Sequence, residues 1–165
     1  MSLLLKRKSI RQFKSKPIAE EAITAMLQSA MQAPSARNQQ PWEFVVIKRR
    51  DILDQLSETK GGAKPLATAP LGILLLMRED VGAPSMRPQD MAAATQNLLL
   101  EAANLSLGAV WIGVYPREET MDKVRAIITV PKHLLPFAIV AIGHPDQSTN
   151  VETLRYDEKR IRVIE

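Results

Sequence analysis

The sequence predicts an α/β or α+β sandwich: strand and helix signals alternate along 165 residues, the strands are short continuous apolar runs, and no repeat interrupts the alternation. Ile18 to Met31 sets Ile23, Met26, Leu27, Ala30 and Met31 at helical spacing, with Glu20 and Glu21 at the positive end of the helix dipole. Trp42 to Lys48 is an aromatic and β-branched strand after Pro41, and Asp51 to Glu58 a short helix. Leu71 to Met77 and Pro136 to His144 lack polar alternation, the mark of buried strands.

Asp90 to Leu107 is expected to be a long helix. Its apolar residues, Met91, Ala94, Leu98, Leu99, Leu100, Ala102, Ala103 and Leu105, occupy most of its circumference. Such a helix needs cover on two sides, and a partner subunit is the economical second cover. Leu98 is expected in a core or in that interface. Gly108 is expected to stop the helix, and the backbone to turn between Gly108 and Gly113. Glu118 to Ile127 is a further helix, ended before Pro131; the tail from Pro145 onward is polar, with no core of its own.

Apolar residues make up 45% and charged residues 24%, which argues against disorder. One unit over 1–165 is expected, burying roughly two thirds of its unfolded surface. The absence of cysteine excludes disulfides and thiolate ligands. The start, Met1-Ser2-Leu3-Leu4-Leu5-Lys6-Arg7, reverses and shortens the order of a signal peptide, and no run approaches the roughly 18 apolar residues of a membrane span. A cytoplasmic protein without membrane contact is expected.

Net charge is +4 and the pI about 9.5. The cations crowd the two ends: Lys6, Arg7, Lys8, Arg11, Lys14 and Lys16 at the start, Lys159, Arg160 and Arg162 at the end. With two Trp, two Tyr and three Phe, none interleaving a basic stripe, nucleic acid is not an expected partner.

The sequence holds no G-x-G-x-x-G, no G-x-x-x-x-G-K-S/T and no H-E-x-x-H. His133 and His144, the only histidines, leave little for a metal site or a triad, so no metal is expected and a cofactor would carry any redox chemistry. Three segments stand out. In Arg7-Lys8-Ser9-Ile10-Arg11, an extended chain points residues 7, 9 and 11 to one side, where two guanidiniums and a hydroxyl suit a phosphate; the competing reading is a solvated basic terminus. Ala33 to Trp42 is a helix-to-strand loop whose Ser35 and Asn38 can either hold a polyhydroxyl chain or cap a turn. In Leu107 to Gly113, two glycines permit close approach of a ligand, although a helix cap accounts for Gly108 equally well.

In combination and order, these segments resemble the small single-domain nitroreductase flavoproteins over nearly the full length. The likeness rests on residues 7–11, on Pro34-Ser35-Ala36-Arg37-Asn38-Gln39-Gln40-Pro41-Trp42, on Ala94-Thr95-Gln96-Asn97-Leu98-Leu99-Leu100, on Gly108-Ala109-Val110-Trp111-Ile112-Gly113 and on Asp157-Glu158-Lys159-Arg160. It implies a three-layer α+β sandwich with a central, mostly antiparallel sheet flanked by helices, an intertwined homodimer, and FMN at the subunit interface. The helix from Asp90 would be the dimer core, and residues 145–165 an arm packing on the partner.

Carried over by position, Arg7 and Ser9 would meet the phosphate and ribityl end, with Lys8 beside them and Arg160 closing the site. Arg11 would lie near N1 and O2, stabilising the charge that reduced flavin develops there, with no side chain acting as a catalyst in its own right. Pro34, Ser35, Ala36 and Asn38 would come from the other subunit, the backbone near Ile112 and Gly113 would address O4 and N5, and Lys64 would add a contact.

The activity so implied is ping-pong electron transfer from NADH or NADPH to nitroaromatics, quinones or similar small electron-poor acceptors. Alternatives are a specialised dehydrogenase, dehalogenase or flavin-modifying enzyme, or a non-enzymatic flavin or nucleic-acid binder. Ser106 departs from the glycine of many relatives, and residues 61–70 and 78–88 are expected to be short loops in place of longer members' inserted helices.

Overall fold

The computed structural model describes residues 3–147 and 155–165, so part of the expected arm lies outside the described residues. The elements run α1 (Leu3–Lys6), β1 (Phe13–Lys14), α2 (Glu20–Met31), β2 (Trp42–Ile47), α3 (Arg50–Ser57), β3 (Leu71–Arg78), α4 (Arg87–Asn104), β4 (Gly108–Gly113), α5 (Glu118–Ile127) and β5 (Leu134–Pro145). The named strands pair antiparallel throughout, in the order β1-β5-β3-β2, with β4 also paired to β5. The fold is α+β.

Alternation of side chains along β3 explains why its sequence looked uniformly apolar. Leu71, Ile73, Leu75 and Met77 enter a core with α2 and α4, while Leu74 and Leu76 enter a second core with Leu53 and Leu56 of α3 and Val124 of α5. In β5, Val140 and Ile142 face the first core and Ile139 and Ala141 the second. Helices cover both faces of this antiparallel sheet, so neither face of its central strands needs polar residues.

Two readings are corrected. Residues 108–113 are strand β4, not a turn, and Gly108 does not cap α4. The helix is closed by Ser106, one residue past the C-cap Leu105 and at φ 58°, with Leu107 N–H donating to Ala102 O at 2.8 Å and Ser106 N–H to Ala103 O at 3.2 Å. This is a Schellman ending with serine in the left-handed position that favours glycine. Ser106→Gly is therefore expected to raise stability by about 0.5–1 kcal/mol, measured by denaturant unfolding. The segments at 61–70 and 78–88 also contain 3-10 turns, Gly61–Ala67 and Pro84–Met86, rather than plain loops.

The apolar residues of α4 divide between an inner and an outer side: Leu100 and Ala103 are half-exposed, and Leu105, just beyond the helix, is exposed. Met91, Ala94, Leu98, Leu99 and Ala102 all face the interior, and Leu98 is fully buried in the core of its own protomer. The outward stripe is Gln89, Ala93, Gln96 and Leu100, at spacings of four, three and four.

A register shift between Leu75 and Leu76 marks a bulge in β5 at Phe137. Pro136, which has no N–H, sits at that irregularity. The Phe137 carbonyl accepts from Val114 N–H at 3.0 Å and Tyr115 N–H at 2.9 Å, and its ring packs between Trp111 and Tyr115. The bulge thereby ends β4 immediately after Gly113 and fixes where that glycine sits.

Candidate functional site

The N-terminal segment lies against β4. Ser9 bridges Ala109, and Ile10 N–H donates to Ala109 O at 3.0 Å. Ile10 is buried while Ser9 and Arg11 are exposed and Arg7 half-exposed, so the expected alternation holds. The backbone N–H groups of Arg11 and Gln12 both donate to Gln147 Oε1, at 2.8 and 3.1 Å, which pins this segment to the end of β5.

The two glycines of β4 differ. A Cβ built on Gly108 would lie 2.7 Å from Ile10, so that glycine admits the chain's own N-terminal segment rather than a ligand. A Cβ on Gly113 would meet nothing within 4 Å. Ala109 and Gly113 are four residue steps apart along the strand, about 13 Å, a span suited to an elongated ligand with an anionic end at residues 7–11.

Lys60 was not among the expected residues. Its Nζ donates to Gly113 O at 2.8 Å, and burial, together with the nearby Arg117, holds its ammonium below the ordinary lysine value. Lys64, expected to face the ligand, instead pairs with Glu58 at 2.6 Å.

Pro34, Ser35, Ala36 and Asn38 form a rigid loop with positive φ at Arg37, Asn38 and Gln40. Ser35 Oγ accepts from Gln40 N–H at 3.1 Å, and Asn38 Oδ1 accepts from Gln40 Nε2 at 2.9 Å. The Ser35 hydroxyl proton and Asn38 Nδ2 have no acceptor among the described residues, so both remain able to donate outward. The loop is held by Asp90, also missed in sequence, whose buried carboxylate accepts from Ala36 N–H at 3.0 Å and Gln39 Nε2 at 2.6 Å. An acid in the first turn of a helix gives no sequence signal of such a clamp.

One protomer does not bring these groups together. The loop leads into β2, and β3 and β5 separate that strand from β4, three strand spacings or about 14 Å. The loop also sits at the start of α4, through Asp90, while Lys6, Lys8 and Ile10 share a small surface cavity with Ala103 and Leu107 near its end. From Asp90 to Ala103 is about 20 Å along the helix. Arg160 stands apart again, on an exposed turn where Asp157 accepts from Lys159 N–H and from Arg160 Nε, both at 3.1 Å. No helix among the described residues is long and apolar enough to cross a membrane.

Comparison with known proteins places these features in a wider set. The model of the Nitroreductase family matches residues 4–144. A protein of Archaeoglobus fulgidus named "Putative NADH dehydrogenase/NAD(P)H nitroreductase" is 39% identical over 147 residues, covering 88% of this chain and 84% of its own. Among solved structures, a "Putative NADH Oxidase" from Clostridium acetobutylicum superposes with a TM-score of 0.96 at 44% identity, covering 99% of each chain. A structure from Desulfovibrio desulfuricans described as "a putative nitroreductase in complex with fmn" superposes with a TM-score of 0.77 at 30% identity, covering 92% of this chain and 90% of that one.

Proposed function

This chain belongs to the nitroreductase family and is an oxidoreductase, and from that premise we propose that it binds FMN at a site shared by two copies and uses NADH or NADPH to reduce small electron-poor acceptors such as nitroaromatics and quinones. The observation that carries this reading is the open space in front of Gly113, beside a strand whose other glycine is filled by the chain itself. Bound FMN would supply hydride acceptance and release at N5.

The chain's own residues bind and orient: Arg7, Lys8 and Ser9 would hold the phosphate and ribityl end, Arg11 would stabilise the charge of the reduced ring, and the main chain at Ile112 and Gly113 would bind its polar edge. Pro34, Ser35, Ala36 and Asn38 come from the partner subunit. The loop at the start of α4 and the N-terminal segment at its end support this, because an antiparallel pairing of two such helices would set the loop of one beside the N-terminal segment of the other. Lys64 adds a contact only by exchanging Glu58 for the flavin.

The same proposal makes 1–165 one unit in which 145–165 forms an arm on the partner, acting in the cytoplasm. The arm carries Ile161, Val163 and Ile164, all exposed within the protomer, and the outer edge of β2 has no partner strand among the described residues. Arg160 then closes the phosphate end. Arg160→Ala is expected to weaken FMN binding by about ten- to a hundredfold, the loss of a charge-assisted hydrogen bond, with unfolding unchanged. Flavin fluorescence titration checks it.

The function is tested by the visible spectrum of purified protein supplied with FMN, followed by anaerobic NADH and then NADPH. A bound flavin spectrum that bleaches, and recovers with a nitroaromatic or quinone, is expected. A colourless chain that rejects FMN overturns the reading.

A further inference from the structure

We infer that the acceptor carries an anionic group, a carboxylate or a phosphate, received by Lys60 and Arg117 at the mouth of the site beside Gly113. This names a substrate class and rests on the flavin reading above.

Both residues bond the Gly113–Val114 segment, from different elements: Lys60 through its ammonium and Arg117 through its backbone N–H. Lys60 precedes the 3-10 turn at Gly61–Ala67 and reaches Gly113 O at 2.8 Å. Its ammonium has three donors, of which Gly113 takes one. The exposed Gly61 and Gly62 carry no side chains to cover the others. Arg117 precedes α5, with its N–H bonded to Val114 O at 3.1 Å, and is exposed.

Neighbouring acids are committed elsewhere: Glu58 to Lys64 and Glu119 to Lys123. Among the described residues, neither Lys60 nor Arg117 has an ion-pair partner, and Glu118, next to Arg117, forms no ion pair with either. Burial first, and then the nearby Arg117 charge, hold the Lys60 ammonium low, and an anion between Lys60 and Arg117 relieves the second of these. A planar acceptor facing Gly113 with a carboxylate at its rim meets both groups.

The test uses flavin-loaded protein and paired probes. Benzoate and benzyl alcohol are titrated by the flavin difference spectrum, and KM is compared for 4-nitrobenzoate and 4-nitrobenzyl alcohol. The carboxylate is expected to be preferred by about tenfold in both, and salt to erode that preference. Arg117→Met and Lys60→Met should each shrink the carboxylate-to-neutral ratio, the double substitution should abolish it, and Lys60→Arg should retain it. Equal affinity for both probes in the unaltered protein, or a ratio that survives the double substitution, overturns the inference. Flavin-bound protein that reduces the neutral acceptor without preference sinks this inference alone, whereas protein without flavin sinks the function as well.

Discussion

Gly113→Val is expected to give a folded, colourless protein. Gly113 lies in a strand, has no positive φ, and a Cβ there meets nothing within 4 Å, so valine suits the local backbone and the protomer has room for it. With flavin against that strand, the same methyl groups occupy the space of the ring. Overpacking of this kind costs about 3 kcal/mol, or roughly a hundredfold in affinity. Thermal unfolding of the apoprotein should be unchanged while FMN titration fails. Gly108→Val is the contrast: it drives into Ile10 and should lower stability directly. Undiminished flavin binding in Gly113→Val would remove β4 from the site.

Leu100→Arg is expected to abolish both dimer and flavin binding. Leu100 is half-exposed at the C-terminal end of the outward stripe of α4, so arginine leaves the protomer core intact but puts a charge into the proposed two-fold contact. Leu98→Arg cannot serve this purpose, because Leu98 is wholly buried within one protomer and its replacement unfolds the chain. Light scattering should find a folded monomer, and absorbance no bound FMN. A monomer that keeps its flavin would defeat the shared site.

The elements legible in the sequence are those whose signal is local. α2 announced itself by Ile23, Met26 and Ala30 at helical spacing, and β3 and β5 by apolar runs that two covered faces permit. β4 was read as a turn because six residues with a glycine at each end carry the signature of a loop, and only pairing with β5, about thirty residues later, makes them a strand. α1 and β1 were missed for a related reason: four and two residues are too few to show any period.

In the site, the polar loop at Pro34 to Asn38 was visible by composition, but its clamp was not. Asp90 sits 52 positions beyond Asn38, in the first turn of another helix, and only the fold joins the two. Lys60 and Lys64 are near equivalents in sequence. The path of the 3-10 turn decides that one meets Gly113 and the other Glu58.

The placement of the loop and the N-terminal segment at opposite ends of α4 has a genetic corollary. If each pocket draws one wall from either chain, a subunit spoiled at Gly113 and a subunit spoiled at its Asp90-held loop are complementary defects. Unfolded together and allowed to reassort, equal amounts of the two inactive proteins should recover about a quarter of native activity, since half of the pairs are mixed and each mixed pair rebuilds one whole pocket. Two broken copies of such a gene in one cell would then rescue each other.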